Sequence, residues 1–133
     1  MTRRTGLLLA GALGLAALPG EVLAGSVTLP SGHAAQFHDA IWEEDSGMLR
    51  LRYIVPAVED AAYAGDQDAI FADMEALCAG PGRAMIAEDG NPWDGVTVTM
   101  MAAPVEFGRS APDVVQFFEA FILQDGLCIL DAF

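Results

Sequence analysis

The chain has 133 residues, 53% of them hydrophobic, and sets 6 basic residues against 19 acidic ones for a net charge of −13. That length suits one domain around one core. A surface so acidic repels nucleic-acid phosphates and anionic headgroups, which argues against both as partners.

The chain opens with Met1-Thr-Arg-Arg4, an apolar run Leu7–Leu18, the breaker Pro19-Gly20, and then Glu21-Val22-Leu23-Ala24. A basic start, an apolar centre and small residues ahead of a cleavage point are the three parts of a secretory signal. Val22 and Ala24 suit the small positions before the cut, which places cleavage between Ala24 and Gly25. The apolar run is shorter than the ~20 residues that span a bilayer, so no stable membrane anchor is expected after cleavage. Thr2-Arg3-Arg4 begins like a twin-arginine signal, but Gly6 stands where that signal prefers a large apolar residue, and the general secretory route is favoured. Ser26 occupies the position of the lipidated cysteine in a lipoprotein box, so lipid anchoring is not expected. The expectation is a signal peptide over 1–24 and a single periplasmic domain over 25–133. That domain keeps four arginines, no lysine and 18 acidic residues, a net charge of −14.

Behind a short lead-in, Ser26 to Leu29, the run Gln36–Glu44 reads as a strand with Phe37 and Ile41 on one face, Ala40 and Trp42 on the other. Asp45-Ser46-Gly47 is turn chemistry. Met48–Val55 then alternates, Leu49, Leu51, Tyr53 and Val55 facing one way and Arg50 and Arg52 the other, which completes a β-hairpin. Asp66 can cap a helix whose buried face is Ile70, Phe71, Met74, Leu77 and Cys78, with Gly80-Pro81 as its stop. Residues 84–95 read as a loop, and Val96–Ala102 as a strand. Val114–Phe133 favours a hairpin about Asp125-Gly126, with Val115, Phe117, Glu119, Phe121 and Leu123 on one face. On the return strand Leu127, Ile129 and Phe133 share a face and Cys128 lies opposite with Leu130; a helix over Asp113–Gln124 is the alternative. The fold class is therefore α+β, a small, mainly antiparallel sheet with one helix on a face, in the order β-β-α-β-β-β.

The two cysteines, Cys78 and Cys128, are an even number in a chain bound for an oxidising compartment, which points to a disulfide; two separate buried thiols are the alternative. No metal site is expected, since their spacing is not CxxC. His33 and His38 have no adjacent nucleophile and fall on opposite faces of a strand. GxSxG, GxGxxG, P-loop and zinc patterns are all lacking, so no catalytic residue and no cofactor is assigned. Glu43-Glu44-Asp45 reads as a solvated turn. The Asp89–Asp94 loop offers oxygen ligands for calcium but lacks the EF-hand length and its closing glutamate. Arg50 and Arg52 are read as partners of acidic residues across the hairpin; Trp42, Trp93 and Phe107 are candidate contact residues, more readily core.

Pro104-Val-Glu-Phe-Gly108, Pro112-Asp113, Gln116–Ala120, Asp125-Gly126, Cys128 and Phe133, with Asp73-Met-Glu75 and Leu77-Cys78, resemble a family of short exported alphaproteobacterial proteins with a domain of unknown function. The resemblance covers residues 27–133; it implies an envelope location and a paired Cys78 and Cys128, and brings no activity. Together these readings lead to a non-enzymatic periplasmic binding or accessory module acting on an envelope protein. A small hydrolase or lyase using a carboxylate pair is the alternative.

Overall fold

The structure is a computed structural model that describes residues 25–131. The expected signal segment with Ala24, and the terminal Phe133, lie outside the described residues.

Alternation in the sequence builds the first hairpin. Strands β2 (Ala34–Glu43) and β3 (Met48–Ile54) pair antiparallel around a turn in which Gly47 takes φ +74°. Leu49, Leu51, Tyr53 and Val55 enter the core, and the period of two sends Arg50 and Arg52 to the other face. β2 does not alternate throughout, because its register against β3 shifts between Phe37 and Asp39. This bulge brings Phe37, Ala40 and Trp42 together against the core and sets Ile41 beside Arg50. The expected grouping of Phe37 with Ile41 is thus corrected, since one extra residue reverses the phase of a strand. The lead-in is also a strand, β1 (Ser26–Thr28), paired antiparallel with the start of β2.

After β3 the chain leaves the sheet through a 3₁₀ turn at Pro56–Glu59, a single-turn helix α1 (Ala61–Ala64) and the main helix α2 (Gln67–Leu77). The Asp66 carboxylate accepts from the Ala69 N–H at 3.1 Å, which caps α2 as its sequence predicts. Gly80-Pro81 does not stop the helical path. Over Cys78–Gly82 the hydrogen bonds widen to a π turn, with Arg83 N–H donating to the Cys78 carbonyl, so the missing proline donor is bypassed. A further helix, α3 (Arg83–Asp89), follows where a loop was expected, and Gly90 ends it at φ +85°.

The crossover returns the chain parallel to β3, as β4 (Gly95–Met101). β5 (Gln116–Gln124) pairs antiparallel with β4, and β6 (Leu127–Leu130) with β5 through Asp125-Gly126, both at positive φ. Residues 116–124 are therefore strand, as their aromatic and β-branched content favours. The sheet has six strands in spatial order β1 to β6, and the α+β class holds. It is mixed rather than mainly antiparallel, and the chain order is β-β-β-α-β-β-β.

α2 covers one face of the sheet, where Leu49, Leu51, Met74, Leu77, Val98 and Phe121 are fully buried. Register pairs Cys128 with Leu123, which places it on this same face. There its sulfur lies at disulfide distance, 2.02 Å, from that of Cys78 just beyond α2.

Candidate functional site

The other face of the sheet carries the groups left over from the core. β3 presents Arg50 and Arg52 there, β4 presents Thr97 and Thr99, and β5 presents Ala120 and Ile122. The segment between β4 and β5 folds over one part of this face. Arg52, only 3% exposed, holds it down. Its guanidinium pairs with Asp39 at 2.8 Å and donates to the Val105 carbonyl. The Phe107 ring closes over both arginines, 5.5 Å from each guanidinium carbon, close enough for a cation–π contact. The reading of Arg50 and Arg52 as partners of acidic residues on the neighbouring strand is correct, and Arg52 also anchors the irregular segment that follows β4.

The rest of the face is an open groove of about 820 Å³. Arg50, Thr97, Ala120 and Ile122 line it, with Glu43 beside them. Arg50 Nε bonds Glu43 Oε2 at 3.0 Å, so the one cation of the groove is already paired. Glu44, Asp45, Asp94 and Asp131 add four more carboxylates to the lining, and the first three are exposed. Local hydrogen bonds bring these carboxylates together. Asp94 N–H donates to the Gly47 carbonyl at 2.8 Å, which lays the loop before β4 against the β2–β3 turn. A side chain on Gly47 would strike the Asp94 carboxylate. Asp131 is held by its N–H, which donates to the Ala120 carbonyl at 2.9 Å.

The Asp89–Asp94 loop also shapes this end of the molecule. One Asp89 oxygen accepts from Trp93 Nε1 at 2.9 Å and from Asn91 Nδ2 at 3.0 Å, and these bonds hold its carboxyl below the usual range, Trp93 contributing most. Trp93 in turn stacks on Trp42, ring centroids 4.8 Å apart, so both tryptophans are half-buried against each other. Among the described residues no group of three or more His, Cys, Asp or Glu is placed to hold a metal ion.

The histidines sit elsewhere. His33 packs on the Tyr63 ring at 4.4 Å, His38 occupies the β2 bulge, and neither lines the groove. Beside His33 is a polar network that the sequence reading missed. Asp73, wholly buried on α2, accepts from the Ser31 N–H at 3.0 Å, the Ser31 hydroxyl at 2.6 Å and the Tyr63 hydroxyl. Burial, and then the bond to Asp73, raises the Tyr63 phenol above its ordinary value. The available signal was position: Asp73 falls between Ile70 and Leu77 at helical spacing, on the face that is otherwise apolar.

Residues 10–133 match a family described as a family of unknown function, DUF6497. The chain belongs to that family. The match covers every residue that lines the open groove. Neither the curated proteins nor the solved structures include a match.

Proposed function

We propose that this protein is a non-enzymatic binding module of the cell envelope, which seats a basic segment of a protein partner in the groove on the open face of its sheet. The observation that carries this reading is the charge of the groove: five carboxylates line it against one arginine, and Glu43 already neutralises that arginine. Ala120, Ile122 and Thr97 give the floor an apolar component for the stems of lysine or arginine side chains. A general acid needs a carboxyl held away from water. Here Glu44, Asp45 and Asp94 stand exposed, which favours recognition over catalysis by a carboxylate pair.

The envelope location is supported by the basic, apolar and small-residue segments of residues 1–24 and by the proximity of the two cysteines, a pairing that persists in oxidising compartments. Mass spectrometry of the exported protein is expected to find a chain beginning at Gly25; an intact chain confined to the cytosol would remove this part of the proposal. Binding is tested by fluorescence anisotropy with a labelled peptide of alternating lysine and leucine and its glutamate–leucine counterpart. The basic peptide is expected to bind, and to weaken as salt screens the exposed rim. Equal binding of the acidic peptide would overturn the proposal.

A further inference from the structure

A second concavity lies on the opposite side of the sheet, between α2 and the first half of β5. It encloses about 400 Å³ and is lined by Ile70, Phe71, Met74, Phe117 and Phe118, with Asp68 and Glu119 among its polar groups. Glu119 is out of place by the strand's own pattern. It shares a face of β5 with Phe117 and Phe121, which pack into the core, yet it is exposed where α2 leaves the sheet uncovered. Among the described residues its carboxylate has no basic partner within 4.0 Å. Asp68, exposed in the first turn of α2, is a second carboxylate at the rim of the crevice. Phe118 borders the crevice at the strand edge, but alternation turns its ring to the other face of the sheet, beside Thr99.

We propose that this crevice binds a small amphipathic amine, with the apolar part against Phe71 and Phe117 and the ammonium on Glu119. The chemistry follows from the lining. Aromatic faces attract a cation as well as an apolar group, and the nearby carboxylates exclude anions. The volume lies in the range of small-molecule sites and admits one ring with a short tail, not a folded partner. This site does not depend on the groove, which lies across the sheet from it.

The test is an amide-shift titration of the whole domain with phenethylammonium, alongside phenylpropionate and methylammonium. Phenethylammonium is expected to shift residues around Phe71, Phe117 and Glu119, while the anion and the amine without a ring leave them in place. Glu119 is exposed, so Glu119→Gln leaves the fold intact, and Phe118→Ala, whose ring lies on the other face, serves as the control. Glu119→Gln is expected to weaken phenethylammonium about fivefold, and Phe118→Ala to leave it unchanged. Comparable shifts with phenylpropionate or with methylammonium, or affinity unchanged in Glu119→Gln, would overturn the assignment. Shifts confined to the groove around Arg50 and Ile122 would do so as well, and would leave the reading of the groove standing.

Discussion

Reducing the pair Cys78–Cys128 is expected to remove a large share of the stability of the domain. The two cysteines are 50 residues apart, and the loop they close contains α3, β4 and most of the β5–β6 hairpin. In the chain-entropy model a closed loop of that size contributes about 4 kcal/mol. Domains of this length have about 5–15 kcal/mol in all, so the loss is roughly a quarter to four-fifths of the total. With a urea dependence of about 1–3 kcal/mol per molar, the unfolding midpoint should fall by roughly 1.3–4 M. The assay is urea unfolding of the unaltered chain with and without reductant. Reduction leaves both side chains in place, whereas truncating the fully buried Cys78 would add a cavity to the measurement. The same midpoint in both conditions, or two free thiols in the unreduced sample, would refute the reasoning.

Two other predictions concern buried polar groups. Arg52→Met removes the partner of Asp39 and the donor to the Val105 carbonyl, and should cost about 3 kcal/mol in urea unfolding. That value is the low end for a buried pair, because Asp39 is 40% exposed. A loss below about 1 kcal/mol would mean that the segment over Arg52 holds without it. Tyr53 is raised by burial, and Tyr63 by burial and then by Asp73. A raised phenol contributes stability that is complete below the unfolded value of about 10 and declines as pH rises through the folded value. Unfolding free energy should therefore fall with pH above about 10, and absorbance titration should find both phenols ionising later in the folded chain than in urea. Ionisation at the ordinary value in the folded protein would contradict this.

Much of the architecture is local enough to be read from residues alone. MLRLRYIV fixes β3 by alternation, and Asp66 with Ile70, Met74 and Leu77 fixes α2 by capping and period. What escaped depends on contacts distant in sequence. The bulge in β2 exists because two strands shift register, which residues 36–44 cannot report by themselves. Pro81 reads as a stop, yet a π turn carries the chain past it because Gly82 fits against Val96 on β4. The parallel β3–β4 pairing is decided by where the crossover returns, a question of packing. The groove was legible only in fragments: Arg50, Thr97, Ala120 and Asp131 come from four separate segments, and only the sheet makes them neighbours. Glu43-Glu44-Asp45 did read as a turn, but Asp94 joins it through a backbone bond to Gly47.

The central claim is that this groove recognises positive charge, and the most direct measurement is a charge reversal on its rim. Asp45→Lys together with Asp94→Lys changes two exposed side chains and leaves the Arg50–Glu43 pair in place. Anisotropy with the lysine–leucine peptide at low salt should show affinity reduced by about tenfold or more, with unfolding in urea nearly unchanged. A doubly substituted protein that binds the basic peptide as tightly as the parent would contradict the account.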